Sequence, residues 1–362
     1  MSKDLVYKDL ISFHPGNYVS EIVDDLNITQ DEFARRIGIS SKTISRIINH
    51  EDGISPGTAS KLATVTGVSV QTWLNLQARY DAKVQEIENA QTNDEIAVAN
   101  DIDTAYLKKC KIFEDRRYTI NEKIQKLRQV LKVSNLSKLA EFNPAVSYRR
   151  VKTDHDDKSI VVSNTMLELA TNEARNKSNI KYSKEKLEQK LSYIKKLNLE
   201  SPGSFFPKLE NVLLECGIVL VAIPNMPGAR LNGATKRFKN GSVLLLFTDR
   251  NKWADAIWFS IVHELGHIYY EDFFSDYDDQ EGYKKKEKKA DEFAANFFIA
   301  PNAYSSFIGR GIFTEESIIN FANEMGVIPS IVVGRLQSDE IIDYSTFNEL
   351  KTKYKVLKNF AC

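Results

Sequence analysis

The run His263-Glu264-Leu265-Gly266-His267 constrains this chain more than any other feature. It is embedded in an apolar stretch, Trp253-Ala-Asp-Ala-Ile-Trp-Phe-Ser-Ile-Val before it and Ile268-Tyr269-Tyr270 after it, so the pattern predicts a helix. Residues four apart share a helix face, and His263 and His267 can therefore aim two imidazoles at a single Zn²⁺. The chain has only five histidines, and unpartnered polar groups in an apolar helix are costly, which argues against two idle core histidines. Glu264 sits beside them. Its carboxylate reaches a metal-bound water rather than the metal, the position of a general base.

The stretch Tyr283-Lys-Lys-Lys-Glu-Lys-Lys-Ala-Asp-Glu-Phe-Ala-Ala-Asn-Phe-Phe-Ile-Ala reads as a second helix, stopped by Pro301, which cannot continue it. Glu287, Asp291, Ala294 and Phe298 recur on one stripe of that helix. Glu287 is the candidate third metal ligand. Asp291, one turn on, is placed to hydrogen-bond the free ring nitrogen of a ligating histidine and so fix its tautomer. Structural zinc sites are closed by four protein ligands, often cysteines; three ligands leave a position open, which favours catalysis.

Taken together, His263 to His267 and the run Glu287-Lys-Lys-Ala290-Asp291-Glu-Phe293-Ala294-Ala295-Asn-Phe-Phe-Ile-Ala-Pro301 resemble the ImmA/IrrE family of zinc metallopeptidases. The likeness extends upstream through Gly217-Ile-Val-Leu-Val-Ala-Ile and Pro227-Gly-Ala-Arg-Leu-Asn-Gly-Ala-Thr-Lys, covering roughly the last 150 residues. The family usually ends the second helix in Leu-Leu-Met-Pro where this chain has Phe-Ile-Ala-Pro; apolar bulk is kept and no ligand is touched. The resemblance implies a gluzincin-like metallopeptidase domain with Zn²⁺ as cofactor and a repressor or antitoxin-like protein as substrate.

The N-terminal third carries a second signal. Thr29-Gln30-Asp31-Glu32 has the form of a capping box opening a helix through Phe33-Ala34-Arg-Arg-Ile37, and Gly38 ends it. Ser40 then caps another helix running from Ser41 to Asn49, after a turn too short to let the two separate. This is a helix-turn-helix pattern. Ile37, Ile39, Ile44, Ile47 and Ile48 supply buried contacts, while Gln30, Arg35, Ser41, Lys42, Thr43, Ser45 and Arg46 are the candidate contacts to double-stranded operator DNA. Residues 1–80 hold eight basic and nine acidic side chains, so attraction to DNA has to come from local clustering of Arg35, Arg36, Lys42 and Arg46.

His14-Pro15-Gly16, Ile28-Thr29-Gln30-Asp-Glu-Phe33-Ala34, Ile39-Ser40, Ile44-Ser45 and above all Trp73-Leu74-Asn75-Leu76-Gln77-Ala78-Arg-Tyr80-Asp81 are similar to HigA-type antitoxins of the XRE family. That resemblance implies a homodimer on operator DNA, repression of its own promoter and, often, a cognate toxin as partner.

The expected fold class is mainly α with a small β-sheet (α+β), a helix-turn-helix bundle joined to the peptidase domain. The expected division is 1–82 for DNA binding, 83–200 for a helical connector, 201–301 for the peptidase core and 302–362 for a C-terminal helical region. Within the connector, the helical patterns lie at Tyr118 to Leu131 and Tyr182 to Leu197; Ser201-Pro202-Gly203 marks its end. Gly217 to Ile223, Leu231 to Phe238 and Ser242 to Thr248 read as strands, and Leu231-Asn-Gly-Ala-Thr-Lys is the candidate edge strand to which a peptide substrate could add. Asn320-Phe321-Ala322-Asn-Glu-Met325-Gly326-Val327 and Ile331-Val-Val-Gly-Arg-Leu336 echo the N-terminal helix-turn-helix with an apolar face in place of the polar reading face, which implies packing on the peptidase domain rather than DNA reading.

Basic and acidic side chains balance at 49 each, so gross charge points to neither a nucleic acid nor a membrane. No apolar run approaches a membrane span and the first residues lack a signal-peptide core, which predicts a cytoplasmic protein. Cys110, Cys216 and Cys362, odd in number and scattered, are expected to be free thiols. The competing functional class is a binding protein: an antitoxin or repressor whose zinc is structural or sensory. Glu264 speaks against it, because a glutamate there has no part in holding the metal.

Overall fold

A computed structural model describes residues 5–141, 147–150, 157–273 and 280–354. The chain forms two compact units, Met1–Ile96 and Ala97–Cys362. The first opens with an antiparallel pair, β1 (Leu5–Tyr7) and β2 (Leu10–Ser12), followed by α1 (Gly16–Asp25), α2 (Gln30–Ile37), α3 (Ser41–Ile48) and α4 (Pro56–Thr66). The long helix α5 (Val70–Asp101) begins here. The border expected at residue 82 falls inside α5, because residues 79–101 contain neither Gly nor Pro to interrupt it.

Sequence punctuation becomes local structure in a direct way. Thr29 accepts a hydrogen bond from Glu32 N and Gly38 closes α2 at φ 65°, a left-handed conformation that costs glycine nothing. Ser40 caps α3 by accepting from Thr43 N. Only half of the expected capping box forms at α2. The Glu32 carboxylate turns instead to Arg36, one turn along the helix, and accepts from its Nε at 3.1 Å. The ion pair, with a charge on both partners, wins over a carboxylate bond to the uncharged N–H of the cap backbone. Phe33, Ile37, Ile44, Ile47, Leu62 and Trp73 make the buried core of this unit.

The second unit carries α6 (Thr104–Lys109), α7 (Ile120–Leu131), β3 (Ser147–Arg150), α8 (Asp157–Ala174), α9 (Lys184–Lys196) and α10 (Pro202–Glu215). Strands β4 (Ile218–Ile223), β5 (Leu231–Arg237) and β6 (Val243–Thr248) follow, then α11 (Ala254–Tyr269), α12 (Gln280–Phe298), α13 (Pro301–Gly309), α14 (Glu315–Met325) and α15 (Pro329–Ser338). The fold is mainly helical with small sheets, as expected. In the four-stranded sheet the order is β3-β5-β6-β4, with β4 parallel to β6 and the other pairs antiparallel. Every residue of β4 and β6 is buried, and their near-continuous apolar sequences fit strands covered on both faces. Helices α8 and α10 pack on β4, and α11 packs on β5 and β6.

Three expectations need correction. Leu231-Asn-Gly-Ala-Thr-Lys is not an edge: β3 lies along its outer side, with Ser147 opposite Thr235 and Tyr148 opposite Ala234. A four-residue partner reading Ser-Tyr-Arg-Arg has no apolar alternation to announce it. The stretch 83–200 is also more than a connector, since α8 buries Val161, Val162, Met166 and Leu167 and packs on β4 and β6. Of the cysteines, Cys216 is buried and free, whereas Cys110 is disulfide-bonded, contrary to the expectation of free thiols; scattered spacing cannot foretell a pairing. Cys362 lies outside the described residues.

The C-terminal echo of the helix-turn-helix has the same punctuation, Gly326 closing α14 at φ 66°. Its second helix, however, buries Ile331, Val332, Val333 and Leu336, and packs on α11. No single described helix is long and apolar enough to cross a membrane.

Candidate metal centre and nucleic-acid interface

Helix α11 is fixed at its start. Asp255, in the first turn, pairs with Lys351 at 2.9 Å, and both side chains are largely buried. Burial pushes the Asp255 carboxyl up, and the hydrogen bond from Lys351 works against that shift. The backbone joins in: Ala254 N donates to Thr352 O and Tyr354 N donates to Lys252 O. From α15, Gly334 approaches so closely that a Cβ there would stand 2.3 Å from Asp255 Oδ2. Gly334, one of the residues that stand where the N-terminal copy has polar side chains, thus lets α15 seat against α11.

Two turns on, His263, Glu264 and His267 are all fully buried. Helices α11 and α12 come together at Gly266, where a Cβ would meet Ala290 Cα at 3.2 Å and Phe293 Cδ1 at 3.3 Å. Small residues at this crossing bring Glu287, three positions before Ala290, within reach of both imidazoles. Glu287 Oε2 is 3.5 Å from His263 Nε2, Glu287 Oε1 is 3.2 Å from His267 Nε2, and the two Nε2 atoms are 3.1 Å apart. Ligands on a tetrahedral zinc with bonds of about 2.0–2.1 Å stand about 3.3–3.4 Å apart, so the three donors fit that ion without rearrangement. Among the described residues these three form the one group of acidic, histidine or cysteine side chains close enough to share a metal. Burial alone pushes the Glu287 carboxyl up, but hydrogen bonds and charge from His263 and His267 outweigh it and hold the group at about 2.

Asp291 Oδ1 lies 2.8 Å from His263 Nδ1, the contact the stripe on α12 predicts. It favours the tautomer with the proton on Nδ1, which turns the Nε2 lone pair toward Glu287. Glu264 is the residue between the histidines, and its carboxylate lies against β5: a Cβ on Gly233 would be 2.6 Å from Glu264 Oε1. Sequence reasoning missed Gly233. A glycine inside a strand pattern marks close approach of another group, and that signal was available. A cavity of about 780 Å³ opens beside the centre, lined by Asn232 of β5, Phe259 of α11 and Asp291 of α12 among others.

In the first unit, Gln30, Arg35, Ser41, Lys42 and Arg46 are exposed, and Thr43 and Ser45 are half-buried. The structure brings these residues together on α2 and α3, but several are already engaged. The Thr43 hydroxyl bonds the Ser40 hydroxyl at 2.7 Å, Ser45 Oγ accepts from Asn49, and Arg46 pairs with Asp52 at 2.8 Å. An exposed ion pair is worth about 0–1 kcal/mol, so the pairing with Asp52 holds Arg46 only weakly. The Trp73-to-Asp81 motif, by contrast, holds the bundle together. Trp73 is buried, Gln77 Oε1 accepts from Ile54 N at 2.7 Å, and Tyr80 meets His14 edge-on.

Comparison with known proteins gives two family matches. Residues 19–73 match the helix-turn-helix family, and residues 222–337 match the IrrE N-terminal-like domain, a peptidase family. The second match takes in α14 and all but the last residue of α15. Among curated relatives, the uncharacterized HTH-type transcriptional regulator YddM of Escherichia coli strain K12 is 43% identical over 63 residues, 17% of this chain and 67% of that protein. Similar solved structures include a putative antidote protein of a plasmid maintenance system from Nostoc punctiforme, 30% identical, covering 24% of this chain and 94% of that one with a TM-score of 0.23. An addiction module antidote protein of a HigA family from Coxiella burnetii is 28% identical, covering 22% and 89% with a TM-score of 0.22.

Proposed function

The chain belongs to the helix-turn-helix transcriptional regulators and carries an IrrE N-terminal-like domain behind its reading unit, and from that premise we propose a bacterial, cytoplasmic regulator that binds operator DNA and cleaves a regulatory protein. The observation that carries the second half is the constellation of His263, His267 and Glu287 at tetrahedral spacing, with Asp291 on His263 and Glu264 buried beside them. In this reading His263, His267 and Glu287 hold Zn²⁺. Zinc with three protein ligands supplies Lewis-acid chemistry and lowers the pKa of water to about 7.

The protein's own residues do the rest. Glu264 takes a proton from the attacking water on its carboxylate and returns it to the leaving amine. Asp291 keeps His263 in the ligating tautomer. The wall of β5 at Gly233 holds the Glu264 carboxylate in one place, which limits the reorganisation a proton transfer requires. In the first unit, Lys42 and Arg35 contact phosphates while Arg46 reads a base edge, with Ser41, Thr43, Ser45 and Gln30 setting the register.

Purified protein tests both halves. It should hold about one zinc per chain and, as a dimer, protect an inverted repeat whose half-sites lie about one helical turn apart. His263→Ala and Glu287→Ala should each lose the metal and keep the footprint. Full zinc retention in both variants removes the proposed centre, and an unchanged footprint after deletion of residues 1–80 removes α3 as the reader.

A further inference from the structure

The sheet contains a strand that the peptidase reading does not use. β3 pairs antiparallel with β5, the strand whose Gly233 lies against Glu264. The opposite side of β5 is taken by β6, with Gly233 opposite Phe247, so β3 holds the only remaining side. Its register is Ser147 to Thr235, Tyr148 to Ala234 and Arg150 to Leu231, with an irregularity between Tyr148 and Arg150. The irregular step is therefore level with Asn232 and Gly233, where β5 passes over Glu264.

An extended peptide bound to a sheet edge takes its affinity from main-chain hydrogen bonds, and those require unpaired N–H and C=O groups on the receiving strand. Here β3 consumes them. We propose that residues 147–150 are a built-in occupant of the substrate position: a segment of the chain itself that pairs with β5 and excludes other peptides until it is displaced. The inference rests on the peptidase reading for its meaning, though the competition it describes is a property of binding alone.

Magnitudes favour a displaceable occupant over a permanent one. A tethered segment competes at an effective concentration on the order of millimolar, so a free peptide at about 10 µM loses by about a hundredfold. A pairing of only four residues is nonetheless weak by itself, and strands this short depend on their surroundings. A partner protein that offers a longer strand, or that draws residues 147–150 away, would open β5. Substrate access is then set by the chain's own segment as well as by the metal.

The test uses the full chain, zinc-loaded, in a Glu264→Gln background so that nothing is hydrolysed. A fluorescent peptide copying residues 144–153 is titrated against this parent, against Tyr148→Pro/Arg149→Pro, and against a form with glycine at all four positions 147–150. Adjacent strand residues point their N–H groups to opposite sides, so the double proline removes one ladder donor whichever of the two faces β5. Both variants should bind the peptide at least tenfold more tightly than the parent. Equal affinity in all three, with zinc content and melting temperature unchanged, overturns the proposal. Should both variants unfold, hydrogen exchange in the parent decides: protection of the β5 amides on the β3 side, comparable to those on the β6 side, supports it, and exchange at open-edge rates overturns it. With Glu264 restored, tighter binding without any hydrolysis sinks the peptidase reading alone, whereas equal hydrolysis in parent and variants sinks the occupant alone.

Discussion

Asp291 and Gly233 act on the centre from opposite sides, and they should fail in different ways. Asp291 hydrogen-bonds the His263 ring and is not one of the three proposed ligands, so Asp291→Ala should weaken zinc binding about 10–100-fold, less than loss of a ligand. Competition against a chromogenic chelator measures the difference; a variant that binds as the parent does would show the hydrogen bond to be idle. Gly233→Ala asks for space beside a carboxylate that has none, because Glu264 is fully buried and the new Cβ would fall 2.6 Å from its Oε1. That substitution should leave the zinc content near one per chain while peptide hydrolysis falls at least tenfold. Zinc loss together with activity would mean that β5 supports the ligands rather than the base.

At the level of elements, the crossing of α11 and α12 decides whether three donors can meet. Gly266→Ala adds a methyl at 3.2 Å from Ala290 Cα and calls for a small shift, whereas Gly266→Val must part the helices. Zinc affinity should fall modestly in the first and be largely lost in the second, read by metal analysis after dialysis; equal retention would show that the crossing has slack. For α3, Arg46→Ala should relax sequence choice at one operator position, while Arg35→Ala should lower affinity evenly and flatten its salt dependence by about one unit of slope, both read by binding titrations at several salt concentrations.

The same elements mark how much was legible beforehand. Helices α2 and α3, the strands β4 and β6, helix α11 and the stripe on α12 all follow from apolar period and punctuation, because each satisfies its own pattern locally. What escaped depends on partners distant in sequence. Nothing in Ser147 to Arg150 announces a strand; only β5, more than one element away, makes it one. Glu32 differs for a local reason: it has the sequence of a capping box, yet Arg36, one turn along the same helix, takes its carboxylate. Gly334 has no local reason to be glycine; the Asp255 carboxylate of α11, far off in sequence, is what leaves no room for a side chain there.

At the scale of the whole molecule, the proposed function joins a helix-turn-helix unit that would select DNA to a peptidase-family unit that would cut a protein. On the proposed reading the chemistry hangs on Glu264, since His263, His267 and Glu287 would hold the metal and Asp291 would position His263. Glu264→Gln keeps the side chain's size and should keep zinc, fold and operator binding, while removing the proton acceptor. The most direct measurement compares new protein N-termini, by mass spectrometry, in cells expressing the parent or Glu264→Gln under conditions that switch the regulated promoter. The account predicts a cleaved regulatory protein with the parent, none with the variant, and loss of the promoter response alongside it. The same cleavage products and the same promoter response in both would contradict it, leaving a DNA-binding protein whose metal centre does no chemistry.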